Sequence, residues 1–231
     1  MHAHYGWYGI TIAALLLAKL ALSAKRRTPT THDPAATSHV IHCVITSFNE
    51  DKAALTRCLR SILNQTRRPD SLTLIDDCSN DDTAQQVIAA MRPAFDRAGI
   101  RLDFIRFPIN KGKREGLAAG FAARWDADIY LCVDSDTVLD PNAVAEAAAP
   151  FRSRRVHCVT GLVLAANRST NLLTRLIDLR YMNAFLGERV AYSRLGSVLC
   201  ACGSLALYRG DTVRKYLDDF LGQRFLGKQC T

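Results

Sequence analysis

Short β-rich runs alternate with amphipathic stretches along most of this chain of 231 residues, and this alternation constrains its fold more than any other feature. It is typical of a mostly parallel β-sheet covered by helices. The predicted strands cover residues 40–46, 72–76, 101–107, 128–133, 156–165 and 197–208. The predicted helices cover residues 50–65, 82–98, 114–124 and 172–192, with a short helix after the last strand. We therefore predict one α/β domain over residues 39–231.

Polar residues cluster where three of the predicted strands end. They occupy residues 46–50, residues 76–77 and residues 134–136. Ligands of open α/β sheets bind in the crevice outside the carboxyl ends of the strands. We therefore expect these three segments to converge on one binding site.

Two aspartates lie one residue apart at the end of the fourth strand. Asp134 and Asp136 can reach a hard divalent cation together, because Mg²⁺ is held by one or two carboxylates plus the phosphates of a substrate. For an isolated Asp-x-Asp, a helix cap in a turn is the simpler interpretation. A dense basic cluster at residues 110–114, at the start of a helix, favours phosphate recognition instead, although alone it could equally be an exposed charged loop. Together the two features predict a cation that neutralises a leaving diphosphate.

The adjacent carboxylates Asp76 and Asp77 could serve the same ligand. They could accept hydrogen bonds from a ribose or from an N–H on a base edge. A turn with a helix cap, formed through residues 79–82, is a second interpretation of this segment.

The absence of certain sequence motifs argues against three classes of enzyme. The chain has no GxGxxG, GxxxxGKS or GxxxxGKT motif, so dinucleotide enzymes and P-loop NTPases lose their main support. It also has no G-x-S-x-G turn, which argues against a Ser-His-Asp hydrolase. The histidines of the predicted domain and its linker do not follow a loop that could orient them as a base: His32, His39, His42 and His157.

Residues 5–24 form an apolar stretch interrupted only by Lys19, which lies close enough to one end to place its ammonium among lipid headgroups. Three basic residues follow at 25–27, so the positive-inside rule places the rest of the chain in the cytoplasm. We predict a transmembrane anchor with a basic cytoplasmic flank over residues 1–27 and a polar linker over 28–38. The lipid bilayer of the cell membrane is then a partner. A cleaved signal peptide and a helix lying on the membrane surface are the alternatives.

The composition narrows the class of protein further. With 48% hydrophobic and 23% charged residues the chain is too apolar for a disordered protein. Its net charge of +8 favours an anionic partner, but the charges are dispersed without interleaved aromatics, so we predict no nucleic-acid binding. The eight cysteines form no CxxC pair, which argues against a zinc site and favours buried reduced thiols. Cys200 and Cys202 are expected on one core-facing side of a strand.

Five ordered segments resemble the processive, membrane-embedded family 2 glycosyltransferases. Within that family the chain is most similar to hyaluronan synthases and next to the chitin-oligosaccharide synthases of nodulation type. The resemblance covers almost all of residues 40–228. It implies a GT-A fold, a UDP-sugar donor, Mg²⁺ or Mn²⁺, a growing polysaccharide as acceptor, and inversion at the anomeric carbon. The segments that carry it are TSFNED, IDDCSNDDTA, NKGKREGLAAGF, CVDSDT and residues 167–209.

The resemblance also assigns roles to individual residues. Asp136 matches the metal-binding aspartate, and Asp134 beside it would contact the donor sugar or the metal. The expected neighbours of the uridine are Thr46, Asn49, Glu50 and Asp77, and those of the diphosphate are Lys113 and Arg114. The expected acceptor-lining residues are Cys202, Gly203 and Ser204, with Arg209 in the Tyr-Arg pair that follows.

Three departures from the family pattern qualify these roles. Cys78 replaces the usual Gly after the aspartate pair, and Ser204 replaces the usual Pro, which puts the acceptor side in doubt. The acidic triplet that carries the general base in the family is expected after Thr231, so no catalytic base is assigned. We expect a truncated GT-A domain that binds donor and metal but makes no polymer alone.

Four functions remain open at this point. A hyaluronan-type enzyme would use UDP-GlcNAc and UDP-GlcA, whereas a chitin-oligosaccharide synthase would use UDP-GlcNAc only. A catalytically incomplete membrane protein that binds a nucleotide sugar is the alternative outside enzymes, and a basic nucleic-acid-binding module has the least support.

Overall fold

The computed structural model describes residues 3–24, 38–225 and 228–229. It divides into two compact units, which are described separately. The first contains Met1–Thr30 and Leu162–Ala201, and the second contains Thr31–Gly161 and Cys202–Thr231. The basic flank at residues 25–27 and all of the predicted linker except Ser38 lie outside the described residues.

The second unit is built on a six-stranded sheet. The strands are β1 Ile41–Ser47, β2 Ser71–Asp76, β3 Arg101–Arg106, β4 Ile129–Asp134, β5 Cys158–Thr160 and β6 Ala206–Arg209, and a separate pair is β7 Arg224–Phe225 with β8 Lys228–Gln229. The strand order in the sheet is β3-β2-β1-β4-β6-β5. Strands β1 to β4 run parallel, β6 pairs antiparallel with β4, and β5 pairs antiparallel with β6. The predicted α/β fold with a mostly parallel sheet is therefore confirmed.

Helices cover both faces of this sheet. Alternate residues of a strand point to opposite faces, and in β1 Ile45 packs into one hydrophobic cluster while Val44 packs into the other. The helices are α2 Lys52–Leu63, α3 Thr83–Arg97, α4 Lys113–Ala123, α5 Ala143–Ala148 and α8 Gly210–Leu221, with a short 3₁₀ helix at Ala149–Arg152. The first cluster holds residues of α2, α3 and α5, and the second holds residues of α4 and α8.

The first unit is helical. It contains α1 Ala3–Ala24, α6 Leu172–Met182 and α7 Val190–Arg194, and a π-helical segment, Asn183–Arg189, joins α6 to α7. Near the end of α1 the Lys19 ammonium lies 3.1 Å from a Glu188 carboxylate oxygen. Among the described residues α1 is the one helix long and apolar enough to cross a membrane, with a mean hydropathy of 1.6 over Trp7–Ala24.

The last two predicted strands are much shorter than expected. Residues 156–165 form a strand only at Cys158–Thr160, and residues 197–208 only at Ala206–Arg209. Cys200 and Cys202 therefore lie outside any strand, and Cys200 is exposed, so the interpretation of the pair as a core face is wrong. The apolar run here is interrupted by Gly203, whose backbone approaches a charged site instead of pairing in the sheet.

The seven described cysteines are free, and the predicted burial holds for three of them. Cys43, Cys58 and Cys132 are buried in the domain. Burial raises the pKa of Cys58 and of Cys132 to about 12, so neither thiol ionises near neutral pH. These cysteines are structural, and Cys58 donates its S–H to the carbonyl of Asp134 at 3.5 Å.

Candidate functional site

The carboxyl ends of β2, β1 and β4 lie side by side at one edge of the sheet. Thr46 pairs with Ile75 on one side and with Asp134 on the other. The segments 46–50, 76–77 and 134–136 therefore meet at this edge, where a parallel sheet presents its ligand crevice.

Asn49 joins the turn after β1 to the loop after β2. Its backbone has a left-handed φ of 50°, which asparagine adopts more readily than most residues. The Asn49 N–H donates to Ser79 Oγ at 2.8 Å, and the Asn80 N–H donates to Asn49 Oδ1 at 2.8 Å. The backbone N–H and the side-chain oxygen of Asn49 thus hold the two loops together.

Glu50 joins the same turn to the loop after β4. The Ser135 hydroxyl donates to Glu50 Oε2 at 2.6 Å, and the Asp51 N–H donates to Glu50 Oε1 at 3.1 Å. Asp51 in turn caps α2 by accepting the N–H groups of Ala53 and Ala54. Glu50 therefore links the N-cap residue of α2 to Ser135, between the two aspartates.

Asp77 holds the loop that leads into α4. Its side chain is buried, and its two oxygens accept the backbone N–H groups of Lys111 at 2.7 Å and Gly112 at 2.8 Å. The Asn110 side-chain amide donates to the Asp77 carbonyl at 3.2 Å. Gly112 has a φ of 87°, a conformation that other residues rarely adopt.

Asp134 lies at the centre of the cluster. One of its carboxylate oxygens pairs with the Lys113 ammonium, and the other accepts the Ser204 hydroxyl at 3.3 Å. A β-carbon at Gly203 would lie 2.9 Å from Asp134 Oδ1 and 2.9 Å from Lys113 Nζ, so a larger residue there would displace the ends of these two side chains. The segment expected to line the acceptor therefore contacts the aspartate expected to contact donor or metal. Cys202 is held beside it by a 3.0 Å hydrogen bond from its N–H to Thr160 Oγ1.

Two predicted residues lie away from this polar cluster. The Arg114 guanidinium carbon lies 5.3 Å from the centre of the Phe220 ring of α8. Both residues line an open cleft of about 590 Å³, which residues 110–113 also line. Thr46 directs its methyl group towards α4, where a β-carbon at Gly116 would lie 2.8 Å from it. The structure thus brings Lys113 to Asp134 and separates Arg114 from it.

Three residues of the cluster were not predicted as functional. Ser135 lies between the two predicted aspartates, and Ser79 belongs to the segment read as a turn. Ser79 donates to Asp76, whose other oxygen pairs with Arg106 Nε at 3.1 Å. Arg106 comes from β3, and no local sequence signal marks it, because its partner lies on the neighbouring strand.

The carboxylates at the end of β4 suit a hard divalent cation. Asp136 is exposed and Asp134 is partly exposed, and carboxylate oxygens are the ligands that Mg²⁺ and Mn²⁺ prefer. In the described part of the chain, no group of three or more His, Cys, Asp and Glu side chains could hold a metal ion. An ion held by these two carboxylates would therefore take its remaining ligands from substrate phosphates and water.

Comparisons with known proteins identify the family of the chain. The model of glycosyl transferase family 2 matches residues 42–217. Hyaluronan synthase of Streptococcus pyogenes is 38% identical over 222 residues, which are 96% of this chain and 52% of that protein. An N-acetylglucosaminyltransferase of Azorhizobium caulinodans is 36% identical over 189 residues, which are 81% of this chain and 46% of that protein. The chain thus spans about half the length of the curated relatives it matches.

Two solved structures share the fold. The mannosyltransferase PcManGT of Pyrobaculum calidifontis, in complex with GDP-Man and Mn²⁺, superposes with a TM-score of 0.63 at 18% identity, covering 89% of this chain and 56% of that one. TarS of S. aureus, in complex with UDP, superposes with a TM-score of 0.53 at 18% identity, covering 76% and 48%. The GT-A fold implied by the resemblance is thus confirmed, and on the family match and the level of identity this chain belongs to glycosyl transferase family 2.

Proposed function

We propose that this chain carries the donor-binding site of a membrane-anchored, inverting glycosyltransferase that builds a polysaccharide from UDP-sugars. One observation carries the proposal. The loops expected to hold donor, metal and acceptor form a single hydrogen-bonded cluster around Asp134, at the ligand-binding edge of the sheet.

The nucleotide is proposed to lie over the ends of β1 and β2. Its uridine would face Thr46, Asn49, Glu50 and Asp77. Its diphosphate would lie at the start of α4, beside Lys113 and Arg114, where backbone N–H groups and basic side chains favour an anion. The complexes of PcManGT with GDP-Man and of TarS with UDP support a nucleotide-linked donor on this fold.

Asp136 and Asp134 are proposed to hold Mg²⁺ or Mn²⁺. When bound, the ion would supply positive charge to a departing diphosphate. The Lys113 ammonium pairs with Asp134 in the structure and lies within reach of the same phosphates, so it would add a second positive charge there. The acceptor polysaccharide would approach along Cys202, Gly203 and Ser204, because this segment contacts Asp134.

Hyaluronan is the polymer we favour, made from UDP-GlcNAc and UDP-GlcA, because the identity to hyaluronan synthase extends over 96% of the chain. A chitin-oligosaccharide synthase is the second candidate, supported by the 36% identity to an N-acetylglucosaminyltransferase. A protein that only binds the nucleotide sugar at the membrane is the third. Membranes of cells expressing the complete gene product that contains this chain would decide: polymer that forms only with both sugars indicates hyaluronan, polymer from UDP-GlcNAc alone indicates chitin, and UDP-sugar binding without polymer in either condition indicates binding only.

We infer that α1 anchors the enzyme in the cell membrane with the catalytic domain in the cytoplasm. Its length and apolar composition fit a membrane span, although a signal sequence shares these properties. Lys19 near its end and the basic residues 25–27 after it favour a cytoplasmic position for the domain.

The donor site can be tested by calorimetric titration of the whole chain in detergent with UDP, GDP and ADP, each with and without Mn²⁺. We expect binding that is selective for UDP and depends on the metal. Asp136→Asn should weaken binding in Mn²⁺ by tenfold or more, since one of two carboxylate ligands is lost, while Asp219→Asn, in exposed α8, should leave it unchanged. Folded protein without UDP selectivity would contradict the proposal.

A further inference from the structure

We propose that α6 lies on the cytoplasmic surface of the membrane, with a row of leucines in the lipid and an arginine on each side of the row among anionic headgroups. The inference rests on the membrane anchor proposed above and adds a second contact with the bilayer. Its partner is a lipid surface that carries negative charge. The row, called the leucine stripe below, consists of Leu172, Leu176 and Leu179.

The leucine stripe is an exposed apolar surface at helical spacing. Leu172, Leu176 and Leu179 are 73%, 54% and 60% exposed. Residues that are three and four positions apart lie on the same side of a helix, so these side chains form one continuous row along α6. Contiguous exposed apolar surface is typical of sites that contact a protein or a membrane. The stripe is therefore a contact surface.

The opposite side of α6 is held by the protein. Thr174 is buried, and Asp178 accepts the Ala165 N–H at 3.1 Å. At about 100° per residue, Thr174 and Asp178 both lie on the far side of the helix axis from the leucine stripe. These contacts fix the rotation of α6 about its axis, and the stripe faces outward.

Arginines border the leucine stripe on both sides. At about 100° per residue, Arg175 lies about 70° from the stripe in one direction and Arg180 about 70° in the other. Both residues are exposed, and an arginine can lay its apolar stem along lipid while its guanidinium reaches the headgroups. A leucine row with flanking arginines is typical of helices that lie in the interface of an anionic membrane.

The charge of the whole helical stretch, residues 162–201, fits the same partner. It contains five arginines and two acidic residues, and basic residues close to a membrane are attracted by anionic lipids. An apolar groove of another protein would fit the leucines but would leave the arginines without a negative partner. The arginines are Arg168, Arg175, Arg180, Arg189 and Arg194, and the acidic residues are Asp178 and Glu188.

The contact of α1 with the segment after α6 brings this stretch to the depth of the headgroups. The Lys19 ammonium lies 3.1 Å from Glu188 Oε1 and 5.5 Å from the centre of the Tyr192 ring. Glu188 and Tyr192 belong to the π-helical segment and to α7, which continue α6 without a break. Lys19 lies within about 8 Å of the end of α1, at 1.5 Å per residue. A membrane-spanning α1 would therefore hold this segment beside the cytoplasmic headgroups.

Photocrosslinking of the whole chain in vesicles of phosphatidylcholine and phosphatidylglycerol tests the contact. In one variant p-benzoylphenylalanine replaces Leu176, and in the other it replaces Tyr181. Tyr181 is the matched control, because it is aromatic and lies on α6 opposite the leucine stripe. We expect lipid adducts, identified by mass spectrometry, to be several times more abundant at position 176 than at position 181.

Hydrogen exchange tests the role of the arginines in the same vesicles. Arg175→Gln should raise the exchange rate of a peptide covering residues 172–182 by up to about fivefold, as for the loss of one basic residue at an anionic surface. In vesicles of phosphatidylcholine alone, Arg175→Gln and wild type should exchange equally. Arg154→Gln removes an exposed arginine from the other unit and should change neither rate. Because Arg175 and Leu176 are both exposed, circular dichroism of each variant should match the wild type.

Four outcomes would overturn the inference. Adducts of position 176 with protein instead of lipid would make the stripe a contact with another polypeptide, including a second copy of this chain. Equal lipid adducts at positions 176 and 181 would contradict the orientation of α6. Exchange that is the same in Arg175→Gln and wild type in the anionic vesicles would contradict the binding of headgroups. A chain that resists carbonate extraction yet forms no lipid adduct at position 176 would refute the inference and leave the anchor in place.

Failure of the anchor itself gives a different result. Carbonate would then release the wild-type chain from the vesicles, which is measured before any variant is made. That outcome would refute the proposed membrane anchor and the inference with it.

Discussion

The most informative single residue of the site is Lys113, because its ammonium pairs with the aspartate expected to hold a cation. A cation approaching Asp134 must compete with this internal positive charge. A nucleotide diphosphate would instead be attracted by it. One side chain therefore has opposite effects on the two ligands.

Replacing Lys113→Met should raise the affinity for Mn²⁺ without nucleotide and lower the affinity for UDP in the presence of Mn²⁺. The gain for Mn²⁺ should be at most about fivefold, because partly exposed ion pairs contribute about 0.2–1 kcal/mol. Titration calorimetry with each ligand measures both effects. Lys215→Met removes the same charge from α8, outside the site, and serves as control; a loss of Mn²⁺ affinity in Lys113→Met would contradict the competition.

His42 makes the stability of the domain depend on pH. It is buried in β1, with Nδ1 2.7 Å from Ser71 Oγ and Nε2 3.2 Å from the carbonyl of Gly120. Burial lowers the pKa of this imidazole from 6.5 to about 4, so the folded chain keeps it neutral. Between these values the unfolded chain binds a proton that the folded chain does not, and stability falls as the pH falls from about 6.5 towards 4.

Urea unfolding at pH 7.5 and pH 4.5 should show this contribution. We expect His42→Gln to reduce the loss of unfolding free energy between the two pH values by about 2–3 kcal/mol, calculated from the shift at about 1.4 kcal/mol per pKa unit. The exposed His157→Gln should not reduce it. The same pH dependence in wild type and His42→Gln would show that the imidazole does not report on folding.

At the scale of secondary-structure elements, the site depends on the close packing of α4 against the sheet. A β-carbon at Gly120 would lie 2.2 Å from Val44 Cγ1, and one at Gly116 would lie 2.8 Å from Thr46 Cγ2. The two glycines allow α4 to lie directly on β1, which brings its first residue to the end of β4.

Gly120→Ala should therefore destabilise the domain by about 1–3 kcal/mol, because the overpacked methyl group must displace Val44. Chemical denaturation followed by circular dichroism measures the change. Gly187→Ala, in the π-helical segment, meets only the flexible Asn183 side chain and should stay within about 1 kcal/mol of wild type. Equal stability of Gly120→Ala and wild type would mean that α4 can move away from the sheet.

The sequence predicted the strands and helices whose residue patterns are local. It did not predict features that depend on contacts between residues far apart in the chain. Helix α2 was placed within two residues at each end because its apolar spacing is a local signal. The end of β4 at Asp134 was visible for the same reason. The shortness of β6 could not be foreseen, because Gly203 leaves the sheet to contact Asp134. Nor could the hydrogen bonds of Asp77 with the N–H groups of Lys111 and Gly112, which lie more than thirty positions further along the chain.

At the scale of the whole molecule, the membrane proposal depends on α1. The side chains of this helix from Trp7 to Ala18 are exposed, and contacts with the rest of its unit occur near Lys19. An exposed apolar helix of this length is unfavourable in water and favourable in a bilayer.

Leu15→Lys should prevent stable insertion, because a lysine near the centre of a membrane helix costs about 2.5–3.5 kcal/mol. The fraction of protein resistant to carbonate extraction from cell membranes should fall sharply, whereas Leu15→Phe should leave it unchanged. The mass of the extracted wild-type chain distinguishes a retained anchor from a cleaved signal peptide. If Leu15→Lys stays resistant to extraction, α1 is not the anchor.

The antiparallel pairing of β5 with β6 also bears on how the chain can change over evolution. Thr160 pairs with Ala206, so the entire helical stretch between them leaves the sheet and returns to the same place. In topological terms this stretch is the loop of a β-hairpin. The entropic cost of closing a loop rises only slowly with the length of the loop, by about 0.6 kcal/mol for each doubling. Insertions, deletions or replacements within Leu162–Ala201 should therefore leave the sheet intact, which would let the helices diversify while the segment 202–204 and the nucleotide site are retained.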